Sequence, residues 1–498
     1  SGLQPGAHDY KALEHVLETL PRDELFQSKN IELKSMAHGV LVAEERQRPS
    51  LFIRRDSFER FISCLVYIPR DYYNTDLRKR IQWILEAALG GKVNNYSTLL
   101  SSSPLARVHY IIKTNSNINQ SSEVEDIETA IMEALRSWTE KLREALERVY
   151  SDDKVPALLS KYCDAFSTAY REDFSADVAA KDIVFLEEAQ FGADLSLHLY
   201  RNLENDESEI NLKIYHPEKP IPLSDILPKL ERMGLRVISE RPYKIKISEK
   251  IINESQINFW VHDLLLVDES RSDVDLKSIR NAFEESLKHI WSGITEDDGF
   301  NYLIVKSGMS WRSIVIFRAI AKYLRQIGAP FSQEYMEKTL CKHSNITALL
   351  YSYFVNRFDP TKEDNRGEKS KRNREIIIEN LESVLSLDED RIIRRFLNII
   401  DSMLRTNYFQ SSPNGFPKPY LSFKLDSSCL DELPLPRPHV EVFVYSPRFE
   451  GIHLRGGKIA RGGIRWSDRR EDFRTEILGL MKAQMVKNAL IIPVGAKG

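Results

Sequence analysis

The strongest constraint on the fold is an order of elements that occurs twice along 498 residues. In the first stretch a short strand-like run, Leu51-Phe52-Ile53, precedes a stronger one, Ile62-Ser63-Cys64-Leu65-Val66-Tyr67-Ile68, closed by Pro69. A helix follows with Leu77, Ile81, Ile84 and Ala88 on one face and Gly90-Gly91 as its stop. Leu105 to Ile112 reads as a strand. Ile127, Ile131, Leu135, Trp138, Leu142 and Val149 then lie on one long helix. The second stretch repeats this order. Leu195 to Tyr200 and Ile210 to Tyr215 are strands, and a helix with Ile226, Leu230 and Met233 ends at Gly234. Strands Leu235 to Ile238 and Ile257 to Leu266 come next. A helix through Leu276, Ile279, Phe283, Leu287 and Ile290 closes the stretch, with Ser272 and Asp275 in capping-box spacing at its start.

This order predicts half-buried antiparallel sheet with helices on one face, an α+β layer. It is similar to the small βαββαβ, ferredoxin-like modules called ACT domains, which bind amino acids or form regulatory contacts in many metabolic enzymes. Fold alone does not choose between effector sensing and a purely architectural or oligomer-contact role. Residues 155 to 189 read as short helices. From 297 to 408 the chain turns mainly helical, with helices over Arg312 to Gln326, Ser332 to Arg357 and Arg372 to Arg405. Asp359 to Lys369 is almost wholly polar with alternating charges, the signature of a solvent-facing loop. Ser411 to Pro419 marks a further boundary. Strands return at Tyr420 to Leu425 and His439 to Tyr445, with Pro434, Pro436 and Pro438 predicting an extended connector between them. The expected division is 1–150, 151–191, 192–295, 296–409 and 410–498.

Several function classes are disfavoured at this level. The net charge is -3 with Lys and Arg spread throughout, so no basic face for nucleic acid is expected. No apolar run is long enough to cross a bilayer, and the start lacks the basic-then-apolar pattern of a signal peptide. The 4 cysteines form no CxxC pair, and none of the 11 histidines falls in a metal spacing. Free thiols, a cytoplasmic location and no metal are the expectations.

Chemistry concentrates near the C-terminus. Arg455-Gly456-Gly457-Lys458 is followed by Arg461-Gly462-Gly463-Ile464-Arg465, a helix from Glu471 to about Leu490, and Pro493-Val494-Gly495-Ala496-Lys497-Gly498. Paired glycines flanked by cations let a backbone approach carboxylates or phosphates. A hairpin turn accounts better for Gly456-Gly457, and no GxxxxGK[ST] phosphate loop is present. Phe473, Ile477, Leu480, Met481 and Met485 form the helix's apolar stripe, with Lys487 on its flank. Such a lysine either meets an anion or snorkels to water.

Together these pieces resemble the substrate domain of glutamate dehydrogenases. The wording Arg461-Gly462-Gly463-Ile464-Arg465-Trp466-Ser467-Asp468 resembles the branch with giant subunits, as do Ile214-Tyr215-His216-Pro217 and Leu235 to Glu240. The resemblance implies an α+β chain with two ACT-like modules, a mainly helical region and the beginning of an α/β dehydrogenase substrate domain. It further implies that the parent enzyme converts L-glutamate and NAD to 2-oxoglutarate and ammonia. Carried over, Lys497 is the catalytic lysine and Lys487 holds the α-carboxylate. Arg461, beside Gly462 and Gly463, stands where the family has the lysine for the side-chain carboxylate. NAD is expected on a domain downstream of Gly498, since no strand-GxGxxG-helix unit occurs here, so no turnover is expected from this stretch alone. A homo-oligomer and an amino-acid effector at the modules are the implied partners. The alternative is a non-catalytic sensing or interaction platform.

Overall fold

The apolar run at Ile62 to Ile68 becomes the second strand of a four-stranded sheet: β1 Ser50–Arg55, β2 Phe61–Pro69, β3 Gly91–Leu99 and β4 Leu105–Thr114, in spatial order β1-β2-β4-β3. The computed structural model describes residues 8–58, 60–101, 103–114, 124–190, 195–202, 208–248, 256–268, 275–362, 366–431, 433–460, 462–486 and 495–498. All pairings in this sheet are antiparallel. The sheet has the ferredoxin-like order. Its element order is ββαββα, because the edge strand is supplied first, through a hairpin, and not last.

Alternate residues of β2 enter two different cores. Ile62, Cys64, Val66 and Ile68 pack with Leu77, Ile81 and Leu85 of the Thr75–Leu89 helix and with Ile127 and Ile131 of the Val124–Leu135 helix. Leu65 and Tyr67 pack on Val16, Met36 and Val40 from the helices His8–Thr19 and Asn30–Arg46. The expectation of helices on one face is therefore corrected. A run without polar alternation is what a strand covered on both sides requires. The expected long helix is also two, Val124–Leu135 and Trp138–Val149. Ser137 interrupts it with a reciprocal cap: its N–H donates to Glu140 Oε2 at 2.9 Å, and Glu140 N–H donates to Ser137 Oγ at 3.2 Å. Ser137→Ala should cost about 1 kcal/mol, read as faster amide exchange confined to the first turn of the Trp138–Val149 helix.

Residues 1–148 form one compact unit and 149–498 another. In the second, β5 Ser196–Tyr200, β6 Glu209–Pro217, β7 Leu235–Ser248 and β8 Gln256–Asp268 make a sheet of order β5-β6-β8-β7. Leu197, Leu199, Leu212 and Ile214 face a core shared with Ile226, Leu230, Phe283 and Leu287. The helix carrying Leu276 starts there, after the N-cap Asp275, whose side chain accepts from Lys277 N–H; this replaces the expected capping box, and Ser272 lies outside the described residues.

The opposite face holds Lys213, 1% exposed, its Nζ 2.7 Å from Asp182 on the helix Ala176–Gln190. Asp182 also accepts from the Tyr170 and Tyr215 hydroxyls at 2.5 and 2.8 Å, and the Phe174 ring centroid lies 3.7 Å from the ammonium. Here too a second helical layer covers the sheet. A buried ammonium is tolerable only with such a full set of partners.

The helical region contains Tyr302–Ser307, Trp311–Gln326, Gln333–Lys342, Ser344–Phe358, Arg366–Leu381 and Leu387–Ser402. Two expected long helices are each broken, one at His343 and one before Ser386, whose Oγ accepts from Glu389 N–H at 3.4 Å. The expected loop through Lys369 is shorter, since Arg366 to Lys369 are helical. Met403 to Arg405, expected as the end of a helix, belong instead to strand β9, Met403–Thr406. It begins the third sheet, with β10 Leu421–Asp426, β11 Val440–Ser446, β12 Phe449–Arg455 and β13 Gly495–Lys497 in order β13-β12-β11-β10-β9. The Pro-rich segment connects β10 to its neighbour β11. Gly456-Gly457 does not turn a hairpin: β12 is flanked by β11 and by β13 from the far end of the motif.

Candidate functional site

Lys497 sits on β13, opposite His453 in the ladder, while the adjacent pair Ala496 and Leu454 is 3% and 0% exposed and faces the core. Strand alternation therefore places the Lys497 and His453 side chains on the sheet face away from the core. The register continues through Val442 to Lys424, so the same face carries Lys497, His453 and, beyond Val442, Lys424. Lys497 is half-buried. His453 Nε2 is buried with no hydrogen-bond partner among the described residues. Burial, then the positive charges of Lys497 and Arg455, hold the His453 imidazole below its usual range, which keeps it neutral.

The strand is fixed from both sides. Gly495 N–H donates to Gln484 Oε1 at 3.1 Å, tying β13 to the helix Phe473–Val486. Arg465 N–H donates to the Lys497 carbonyl at 3.0 Å, and Gly498 exchanges hydrogen bonds with Ile452. A Cβ on Gly462 would overlap the Gly495 carbonyl oxygen, whereas one on Gly463 would meet nothing within 4 Å. Gly462 thus serves close backbone packing on β13, and Gly463 has no such steric demand. Gly462→Ala is expected to lose about 1–3 kcal/mol, from overlap with backbone that cannot rotate away. Gly463→Ala should stay within about 0.5 kcal/mol, with chemical denaturation of both variants as the check.

Arg461 and Lys487, the two other cations expected at the site, lie outside the described residues. Of the helix's expected stripe, Phe473, Ile477 and Met481 are buried, but Met485 is 51% exposed and Leu478 takes a core position. Glu476 holds the approach to β13, 3.2 Å from Arg465 Nε and accepting from Ser467 Oγ at 2.8 Å.

The sequence reading missed the joint beneath the site. Arg474 and Glu441, 1% and 0% exposed, form a bidentate pair, with Nε donating to Oε2 at 2.9 Å. The Tyr323 hydroxyl donates to the same oxygen at 2.9 Å, and Gln326 links to Arg474 N–H and the Arg470 carbonyl at 3.1 and 2.8 Å. Burial works against the Arg474 charge, and the bond and charge of Glu441 more than restore it. The signal was Glu441 itself, a carboxylate two residues before Phe443 and four before Tyr445 on the inward side of an alternating strand.

No group of three His, Cys, Asp or Glu side chains suited to a metal occurs among the described residues. The pairings between the named strands are antiparallel, so the described residues contain no parallel strand-helix-strand unit that fits a dinucleotide.

Comparison with known proteins covers nearly every segment described above. Residues 376–498 match the family model for the bacterial NAD-glutamate dehydrogenase catalytic domain. Residues 50–139 and 194–279 match the glutamate dehydrogenase ACT2 and ACT3 domains. Helical motifs 1, 2 and 3 of glutamate dehydrogenase match 1–46, 145–189 and 295–360. The NAD-specific glutamate dehydrogenase of Halomonas elongata is 43% identical over 498 residues, 100% of this chain and 30% of that protein. The corresponding protein of Pseudomonas aeruginosa is 39% identical, over 100% of this chain and 31% of its own length. That of Mycobacterium tuberculosis is 35% identical, over 99% and 31%. The chain therefore spans about a third of the length of these relatives, 30% to 31%. With both ACT sheets, the connecting helical motifs and the opening of the catalytic domain matched in order, the chain belongs to the bacterial NAD-specific glutamate dehydrogenase family.

Proposed function

We propose that this chain contributes regulatory modules and part of the substrate site to an NAD-dependent oxidation of L-glutamate to 2-oxoglutarate and ammonia. The observation that carries the reading is the similarity to NAD-specific glutamate dehydrogenases over the whole chain. In this reading 1–150 and 192–295 are the regulatory modules, 151–191 and 296–409 connect and support them, and 410–498 opens the substrate domain. The resemblance assigns the substrate's two carboxylates to Arg461 and Lys487, with Gly462 and Gly463 shaping the turn between cation and strand. Lys497 takes a proton from the water that attacks the oxidised carbon, acting as the general base. NAD would accept the hydride when bound, but nothing described here fits it, and no step of these residues passes through it. With no dinucleotide site among the described residues, this chain is expected to give no turnover alone.

A cytoplasmic homo-oligomer is the assembly this reading expects, and an amino-acid effector at the modules its regulation. Both modules have helices over each sheet face, so an effector would enter at strand edges or loops. The direct test is glutamate-dependent NADH formation by the full-length protein. No NADH formation at saturating glutamate would abolish the reading.

A further inference from the structure

The face of the third sheet turned away from the Lys497 side chain carries a feature that the dehydrogenase reading does not use. A cleft of about 410 Å³ opens between the Trp311–Gln326 helix, the β11–β12 turn and the segment 465–473. That volume lies in the range of small-molecule sites. Glu450 reaches it from β12. It pairs across the ladder with the buried Tyr445 and precedes the buried Ile452 by two residues, so it points to the helix-covered side. His453 and Lys497 point to the other.

The charges in the cleft are incompletely matched. Lys322 Nζ is shared at long range, 3.8 Å from Glu296 and 3.9 Å from Glu450. Glu450 Oε2 is buried and accepts no hydrogen bond among the described residues. Burial raises both carboxyls above their ordinary range in spite of Lys322. Among the other cations lining the cleft, Arg325 is paired with Glu471 at 2.6 Å and Arg465 with Glu476 at 3.2 Å. Arg448 and Arg470, both exposed and both lining the cleft, have no carboxylate partner among the described residues. A buried acceptor and unpaired guanidiniums lining one cleft ask for a ligand with one positive and one negative end.

We propose that this cleft binds a free α-amino acid as its zwitterion, with the ammonium at Glu450 and the carboxylate at Arg448 and Arg470. The site is distinct from the dehydrogenase substrate site, because Glu450 leaves the sheet on the opposite face from Lys497. Gly498 and Arg465 line the cleft, and the Arg465 N–H holds the Lys497 carbonyl. Occupancy would therefore bear on the strand that carries Lys497 from behind.

Trp466, 86% exposed at the rim, supplies a readout independent of turnover. The chain is titrated with L-alanine, L-glutamate and L-lysine, and with propionate and ethylamine as probes carrying one charge each. The expected result is a saturable fluorescence change with at least one amino acid, absent in Trp466→Phe, and no saturation with either single-charge probe. Affinity should fall at least tenfold in Glu450→Gln and in the exposed-residue variant Arg448→Ala/Arg470→Ala, and should be unchanged in Lys497→Ala. Silence across all three amino acids overturns the proposal. So does propionate binding as tightly as alanine, which would make the cleft an anion site only. Binding kept in both cleft variants but lost in Lys497→Ala would assign the signal to the substrate site and equally refute it.

Discussion

Lys497→Ala in the full-length protein should lower kcat for glutamate oxidation by about a hundredfold to ten-thousandfold, the range for losing a positioned general base. The fold around it should not change. The ladder contacts of Lys497 are made by its backbone, through His453 and the Arg465 N–H, and alanine keeps them all. Its side chain leaves on the face away from the core, so truncation opens no cavity among Leu454, Ile477 and Ala496. Lys497→Arg sharpens the experiment. A guanidinium keeps the positive charge but does not release its proton in a protein, so it can attract a carboxylate and cannot act as a base. Loss of turnover in both variants, with an unchanged thermal midpoint, is the expected pattern. Recovery of kcat in Lys497→Arg would leave the residue an anion-holding role and remove the proton from its account.

The parts of the fold that could be read from sequence were those where burial and backbone demand coincide. β2 is an apolar run and β6 alternates apolar with polar residues, and Gly90 and Gly234 adopt the left-handed conformation that ends their helices. β3 escaped notice because Gly91–Leu99 is an edge strand with most side chains exposed, so nothing imposes an apolar period on it. The break at Ser137 was hidden for a different reason. The apolar residues on its two sides keep helical spacing, and only the capping exchange with Glu140 interrupts them. Gly456-Gly457 looked like a hairpin because the strand's second partner, β13, lies forty residues away, and pairings at that distance leave no local mark. At the site, the resemblance carried the choice of Lys497, while strand alternation was needed to see which face it occupies. Neither could show that a side chain at Gly462 would overlap the Gly495 carbonyl.

Arg474→Met tests the joint that holds these pieces together. The substitution leaves Glu441, 0% exposed, with one hydroxyl donor, Tyr323 at 2.9 Å, in place of a bidentate guanidinium and that hydroxyl. An uncompensated buried carboxylate typically costs about 3–5 kcal/mol, more than the pair itself contributes. Removing both charges, as Arg474→Met/Glu441→Leu, should therefore recover most of the loss even though it deletes more interactions. The damage should also be local. Tyr323 and Gln326 belong to the Trp311–Gln326 helix, Glu441 to β11 and Arg474 to the first turn of the helix whose Gln484 anchors β13. Amide exchange should accelerate in β11 and β13 together in the single variant, and β5 to β8 should keep their protection. If β13 stays protected while β11 opens, the Arg474 pair is only a local plug in the core. If both open and the double variant closes them, a buried charge set beneath the sheet is what holds the Lys497 strand in register.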